Sequence, residues 1–202
     1  KIILLGVNCP GMIDSVWLRA RAGNELFEEI SFEEDKVKVK KRSGDLDSFT
    51  REESLLAKCR RCESPKPLLV DYLFGEETAL KAASKEYADV FSIEGKSLEE
   101  KSKFWDRFFS RCIRCYACRN ICPACSCREC VFDLVEPNWV PKSVSLSDNT
   151  VFHLIRAFHV AGRCVDCGEC ERACPMDIPL SVLNRKVIKD IKDLFGVSTP
   201  GS

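Results

Sequence analysis

The sequence contains two stretches with the same cysteine spacing, CIRCYACRNICP at residues 112–123 and CVDCGECERACP at residues 164–175. Each has three cysteines with two residues between neighbours. Three further residues separate the third cysteine from a fourth, which is followed by proline. This C-x2-C-x2-C-x3-C-P run is typical of proteins that hold 4Fe–4S clusters. The spacing bends the backbone into a loop whose thiolates converge, with amide N–H groups directed at the cluster sulfides. The repetition predicts two 4Fe–4S clusters.

The fourth cysteine of each run is expected to bind the cluster of the other run, as it does in two-cluster ferredoxins. We therefore assign the first cluster to Cys112, Cys115, Cys118 and Cys174, and the second cluster to Cys122, Cys164, Cys167 and Cys170. This crossed ligation would place the clusters side by side, so that electrons can pass between them. Structural zinc is the alternative, but zinc sites usually combine two C-x-x-C pairs with a longer spacer. Disulfides fit poorly, since cysteines this close in sequence would pair badly.

Six of the 14 cysteines lie outside these two sets: Cys9, Cys59, Cys62, Cys125, Cys127 and Cys130. So many free thiols near clusters would invite oxidation and misligation. We expect a third metal site, a further 4Fe–4S cluster built on Cys59 and Cys62 with two of the other four. Zinc is an alternative occupant, because the pairs 59–62 and 127–130 both have C-x-x-C spacing. Unmetallated or redox-active thiols are the remaining possibility.

The composition excludes several classes of function. The chain has 202 residues and no net charge, so no bulk electrostatic signal points to nucleic acid or an anionic membrane. The basic run at residues 36–42 alternates lysine with valine, which we interpret as a solvated edge strand. No apolar stretch approaches the ~18 residues of a membrane span. Dense cysteine runs that suit metal predict a reducing, cytoplasmic setting. Because the chain begins with lysine, it is expected to be processed or part of a longer polypeptide.

The pattern of apolar residues predicts an α+β protein in three regions. Residues 1–50 are a small α/β region, with a strand at IILLGV, a helix over residues 13–21 and a hairpin turning at residues 34–35. Residues 51–96 form a partly helical connector that carries the C-x-x-C pair and includes a helix around residues 76–87. Residues 97–202 form a mainly helical ferredoxin-like domain in which each cysteine run is entered from a helix. Capping boxes are predicted at Thr50–Glu53 and Ser97–Glu100.

The two histidines, His153 and His159, are six residues apart on a predicted helix. Helix neighbours lie three or four residues apart, so the pair does not have the spacing of a metal site. We interpret both histidines as packing or solvated residues. No glycine-rich phosphate loop or flavin-binding signature is present.

Both runs and the helices of their 41-residue spacer resemble the α-helical branch of the double 4Fe–4S ferredoxin family. This branch includes iron–sulfur subunits of succinate dehydrogenase and heterodisulfide reductase, and RCVDCGECERACPMDIPLSVLNRK at residues 163–186 is especially similar to the latter. The strings CIRCYACR and CPACSCREC also make the C-terminal half similar to beta subunits associated with formate dehydrogenases and deazaflavin-reducing hydrogenases of anaerobes.

This resemblance implies a non-catalytic electron-transfer subunit of a multi-subunit oxidoreductase of the hydrogenase, formate dehydrogenase or heterodisulfide reductase type. Its expected partners are a catalytic subunit and an electron-acceptor subunit. Outer-sphere electron transfer needs no acid–base residue, and none is evident. Two alternatives remain at this point: a thiol–disulfide reductase subunit that uses the extra cysteines, and an interaction module held together by zinc.

Overall fold

The structure is a computed structural model that describes residues 2–23, 26–33, 35–62, 66–67, 69–75 and 87–197. It divides the chain into two compact units, Lys1–Glu86 and Tyr87–Ser202. Most of the helix predicted around residues 76–87 lies outside the described residues. Within the described ranges, no helix is both long enough and apolar enough to cross a membrane.

The first unit consists of short strands and helices. In chain order these are β1 (Leu5–Val7), α1 (Ser15–Ala22), β2 (Phe27–Glu33), β3 (Lys36–Lys41), β4 (Leu46–Thr50), α2 (Arg51–Ser54), α3 (Ala57–Arg60) and β5 (Tyr72–Phe74). β1 pairs with β5 in parallel, whereas β2, β3 and β4 form an antiparallel sheet in that order. The predicted hairpin is therefore the β2–β3 pair.

The basic strand β3 is central in its sheet, so the interpretation as an edge strand was wrong. Val37 and Val39 are fully buried in a small core with Leu18 of α1. On the opposite face, Lys38 and Lys40 form ion pairs with glutamates of β2 at 2.5 and 2.8 Å. Because successive side chains of a strand point to opposite faces, the valines face the core while the lysines face away from it. The glutamates of the neighbouring strand offset the lysine charge.

The second unit is mainly helical. Its helices are α4 (Ala88–Glu94), α5 (Leu98–Phe109), α6 (Ala117–Asn120), α7 (Leu146–Val160), α8 (Glu169–Arg172) and α9 (Leu180–Phe195). α7 packs against both α5 and α9, while α8 contacts α6 and α9. The two units together make a mixed α+β chain. The buried core of the second unit is built from aromatic and aliphatic side chains together with three cysteines: Phe109, Phe132, Phe152, Ile178, Leu180, Cys112, Cys118 and Cys170.

Local signals in the sequence determine where the long helices start and stop. Both predicted capping boxes, Thr50–Glu53 before α2 and Ser97–Glu100 before α5, are present with reciprocal hydrogen bonds. α9 ends at Gly196, whose φ of 64° is the left-handed conformation that favours glycine at a helix end. α5 ends three residues before Cys112 and α7 ends four residues before Cys164. The helices α5 and α7 therefore each lead the chain into a cysteine run.

Candidate iron–sulfur centre

The two cysteine loops, residues 112–118 and 164–170, have matching backbones. Arg114 and Tyr116 in the first loop have φ values of 54° and 59°, and Asp166 and Gly168 at the equivalent positions have 46° and 73°. Each loop then enters a single helical turn, α6 or α8. Left-handed residues in a tight loop can turn successive amide N–H groups to one side, where they bind anions. Three of these four residues are not glycine, and such strain persists where the surrounding structure enforces it.

The first cysteine loop lines a small cavity together with the last cysteine of the second run. We define the first site by the four cysteines on its wall: Cys112, Cys115, Cys118 and Cys174. Cys112 and Cys118 are buried, whereas Cys115 is exposed at the rim. The aromatic ring of Phe152 and the side chain of Met176 complete much of the wall, so the site is largely apolar.

The second cysteine loop lines a separate cavity together with the last cysteine of the first run. We define the second site by Cys122, Cys164, Cys167 and Cys170. Cys170 is buried and the other three are partly buried. Here the wall also carries polar side chains, Asp166, Ser181 and Asn184.

Each cavity thus gathers the donor set that a 4Fe–4S cluster requires, four cysteine sulfurs. Each cavity has its fourth cysteine from the other run, and the helical turns α6 and α8 that precede these cysteines contact each other. In the parts of the chain that the structure describes, no three His, Cys, Asp or Glu side chains are grouped to hold a single metal ion.

Burial opposes the charged form of the cysteines in both sites. It raises the pKa of Cys118 and of Cys164 to about 11, and it raises the pKa of Cys112 and Cys170 as well. A thiol must lose its proton to bind iron, so loading these sites releases protons.

One face of α7 carries polar groups into the core beside the sites. Asn149 donates from Nδ2 to the carbonyl oxygens of Phe109 and Cys112, each at 2.9 Å, and so fixes the entry to the first loop. Arg156, 2% exposed, donates from Nη2 to the Cys118 carbonyl at 2.9 Å and lines the second site. His153 lines the first site. Burial, with the nearby guanidiniums, lowers the pKa of His153 to about 3, so its imidazole is neutral.

Sequence reasoning missed Asn149 and Arg156 and interpreted His153 as a packing or solvated residue, although a signal for all three exists. Asn149, His153, Arg156 and Val160 are spaced by four, three and four residues, which is the spacing of one helix face. Polar residues on the same face as a core valine indicate buried polar groups. Asn184 of α9 was also missed, and its Nδ2 donates to Cys170 Sγ at 3.5 Å.

The remaining cysteines lie in two places. In the first unit, the loop after β1 contacts the C-x-x-C helix, since Met12 N–H donates to Cys59 Sγ at 3.3 Å and Leu56 N–H donates to the Met12 carbonyl at 2.8 Å. Cys9 is exposed three residues earlier in that loop. This arrangement joins the segment that carries Cys9 to the segment that carries Cys59 and Cys62.

In the second unit, Cys125, Cys127 and Cys130 line a cavity of about 400 Å³. Three cationic side chains share its wall: Arg119, Arg156 and Arg163. The Arg119 guanidinium hydrogen-bonds to Cys130. Cys125 hydrogen-bonds to Cys122 of the second site, which lowers the pKa of Cys122 and raises that of Cys125. Asp133 also lines the cavity and pairs with Arg119 at 2.8 Å, so three cations face one carboxylate there. The cavity is thus electropositive and adjoins the second site.

The paired loops, exchanged cysteines and surrounding helices define an iron–sulfur domain of the ferredoxin type. A family model described as a 4Fe-4S dicluster domain matches residues 111–179, a range that includes all eight cysteines of the two sites. The cofactors of this domain are 4Fe–4S clusters, and electron transfer is the chemistry that they support.

Two curated relatives are similar to the chain over longer segments than the family model. The chain is 37% identical to F420-dependent formate dehydrogenase subunit beta of Methanocaldococcus jannaschii over 122 residues, which is 60% of this chain and 30% of that protein. It is 30% identical to F420-dependent formate dehydrogenase 1 subunit beta of Methanococcus maripaludis over 180 residues, which is 87% of this chain and 41% of that protein. The chain therefore spans less than half the length of these relatives. Neither relative is named as a thiol–disulfide reductase or a zinc protein.

Proposed function

We propose that this chain relays single electrons through two adjacent 4Fe–4S clusters within a multi-subunit oxidoreductase of the formate dehydrogenase type. The observation that carries the proposal is the gathering of four cysteines in each of two neighbouring cavities, with one cysteine exchanged between the runs. Neighbouring clusters that share the contact between α6 and α8 can exchange electrons without moving parts.

In this proposal each site holds one cluster through its four thiolates, and a bound cluster supplies a one-electron couple. The protein contributes burial, which excludes water, and hydrogen bonds that offset the thiolate charge. Asn184 donates to Cys170 Sγ in the second site, and Arg156 places a buried positive charge beside the same thiol. Such donors stabilise the more negative, reduced state of a cluster.

The proposed partners are a catalytic subunit that delivers electrons and an acceptor subunit that removes them. The formate dehydrogenase names of both relatives support a formate-oxidising donor. Their description as F420-dependent supports a deazaflavin at the other end of the electron path. These names describe the whole relatives, of which the segments matched by this chain cover 30% and 41%.

Anaerobic metal analysis of the purified chain tests the proposal directly. Two clusters predict about eight iron and eight sulfide per chain, together with electron paramagnetic resonance of reduced 4Fe–4S centres after dithionite treatment. The relay also predicts that the reduced chain passes electrons to an added one-electron acceptor. A colourless protein that carries zinc and no acid-labile sulfide, even after reconstitution, would overturn it.

We further propose a third metal site among the six other cysteines, most simply another 4Fe–4S cluster that uses four of them. Contact between the Cys9 loop and α3 supports a site around Cys59 and Cys62. The electropositive cavity supports a separate candidate at Cys125, Cys127 and Cys130, because a cluster held by thiolates carries negative charge. Zinc is the alternative metal, although no three ligand side chains are grouped for a single ion among the described residues.

Paired variants separate these candidates. A third cluster raises the iron content from about eight to about twelve per chain. Cys59→Ser with Cys62→Ser, and Cys127→Ser with Cys130→Ser, each remove one candidate set. The pair that returns the iron content to about eight identifies the site. If both pairs leave iron and zinc unchanged, the third-site proposal is rejected while the two-cluster relay stands.

A further inference from the structure

His153 lies in the middle of α7 and is 2% exposed. Its side chain lines the first site on the same cavity wall as Cys112, Cys118 and Cys174. The proposed electron relay gives His153 no role, although His153 is a polar side chain enclosed in the core. Only buried groups with a partner are ordinarily stable in such a position.

Neither ring nitrogen of His153 has a hydrogen-bond partner among the described residues. Aromatic contacts hold the imidazole ring in place. It stacks on the Phe109 ring with a distance of 4.7 Å between ring centroids, and it meets the Phe152 ring edge-on with a centroid distance of 5.0 Å. Stacking occupies the ring face and leaves the ring edge, with its two nitrogens, to make polar contacts. A buried N–H without an acceptor is destabilising, so a partner is expected where the ring edge meets the cavity.

The neighbouring Arg156 differs from His153 in its hydrogen-bond partners. His153 and Arg156 are three residues apart, so they lie on one face of α7. Arg156 finds an acceptor in the Cys118 carbonyl and lines the second site, whereas His153 finds none in the protein and lines the first. The second site has Asn184 as a further donor to a cysteine sulfur. His153 is the corresponding candidate donor for the first site.

We propose that the imidazole N–H of His153 donates a hydrogen bond to a sulfur of the cluster held in the first site and thereby raises the reduction potential of that cluster. The proposal rests on the two-cluster function above. A hydrogen bond to a cluster sulfur stabilises the reduced form, which carries one more negative charge. His153 is a positioning and tuning residue, since the cysteines alone provide the ligands.

Redox titration of the full chain measures the effect. His153→Phe keeps the aromatic stacking and removes the N–H, and we expect it to shift the ratio of reduced to oxidised cluster about tenfold toward oxidised at a fixed potential. For a one-electron couple this is a lowering of about 59 mV. The second cluster keeps its potential, and His153→Gln, which retains an N–H donor, recovers most of the shift. His159→Gln, at an exposed position on the same helix, is the matched control and changes neither cluster.

Isotope labelling tests the same contact without altering the site. The chain has only two histidines, so ¹⁵N-histidine labels His153 and His159 alone. Pulsed electron paramagnetic resonance of the reduced, labelled chain should show ¹⁵N coupling to one cluster, and the coupling should persist in His159→Gln. This measurement decides the matter even if His153→Phe fails to load clusters.

The outcomes separate the two proposals. Two normal clusters with no ¹⁵N coupling, or with unchanged potentials in His153→Phe, overturn the role of His153 and leave the relay intact. A chain that assembles no clusters at all overturns the relay itself.

Discussion

The two cysteine loops of the second unit have the same backbone but different surroundings. Both take left-handed conformations at their third and fifth positions and then enter a single helical turn. The first site is lined by aromatic side chains, a neutral histidine and the Arg114 guanidinium of its own loop, whereas the second is lined by the amide of Asn184, the carboxylate of Asp166 and the guanidinium of Arg156 from α7. The spacing of the cysteines therefore specifies how a cluster is held, and the surrounding helices specify the electrostatic environment of each cluster.

The arginines show the difference between the two surroundings. Arg114 of the first loop is 6% exposed and donates to the carbonyl oxygens of Asp148 and Pro141 at 2.8 and 2.9 Å. In the second loop the same position is Asp166, which pairs with the buried Arg185 at 3.7 Å. The first loop is thus held by its own cation, and the second loop is held by a cation that belongs to α9.

The largest effect is expected from serine variants that test the exchange of cysteines between the loops. Cys174→Ser should remove the first cluster and Cys122→Ser the second, each lowering the iron content by about four per chain. Because Cys174 serves the first site, Cys174→Ser combined with Cys112→Ser should lose no more iron than either change alone, whereas Cys174→Ser combined with Cys164→Ser should lose both clusters. Iron and sulfide assays check this. The reverse pattern would show that each run holds its own cluster.

A smaller effect is expected from the cation of the first loop. Arg114→Ala removes two charge-assisted hydrogen bonds and a cation–π contact with Phe152 at 4.5 Å. We expect a loss of about 3 kcal/mol in the free energy of unfolding of the second unit. Anaerobic urea unfolding followed by circular dichroism measures it. Arg107→Ala, on the exposed face of α5, is the control and should lie within about 0.5 kcal/mol of the parent.

The equivalent position in the second loop should be less sensitive. Asp166→Asn weakens one ion pair of Arg185, but Asp89 still pairs with the same guanidinium at 3.5 Å. Asparagine also tolerates the left-handed backbone at this position. We expect a cost of about 1 to 2 kcal/mol, measured by the same unfolding experiment. A loss as large as that of Arg114→Ala would show that Asp166, rather than Asp89, dominates the pairing of Arg185.

The smallest effects concern the caps of the helices that enter the loops. Ser97 caps α5 with a full capping box, in which Glu100 N–H donates to Ser97 Oγ at 3.3 Å and Ser97 N–H donates to Glu100 Oε2 at 2.8 Å. Ser145 Oγ caps α7 by accepting from Asp148 N–H at 3.2 Å, and it also donates to Asp148 Oδ2 at 2.8 Å. Replacement of either serine by alanine should cost about 1 kcal/mol. Ser97→Ala should cost less, because the backbone N–H of residue 97 still donates to Glu100, whereas Ser145→Ala also removes the hydrogen bond to the Asp148 carboxylate. Urea midpoints of the two variants, compared with Ser102→Ala inside α5, check the order. Equal costs would show that the hydrogen bond between the Ser145 hydroxyl and the Asp148 carboxylate contributes little.

Several features could be predicted because their causes are local in sequence. The left-handed loops follow from the cysteine spacing, and the helix limits follow from the capping residues and glycines around α2, α5 and α9. The central position of β3 was not predictable in this way. A strand with alternating residues has the same sequence pattern at an edge and in the centre of a sheet. Its position is known only when its neighbouring strands are known.

The sequence by itself determined the class of cofactor, the identity of the eight cysteines and the helices that lead into both loops, because spacing and caps act over a few residues. Only the tertiary structure decided what surrounds each site. His153 and Arg156 look alike as polar residues on α7, yet one lines the first site and the other lines the second. Their environments depend on contacts with segments 30 or more residues away, such as the Cys118 carbonyl. Distant segments meet only through packing, and spacing along one helix cannot encode which segment each residue will meet.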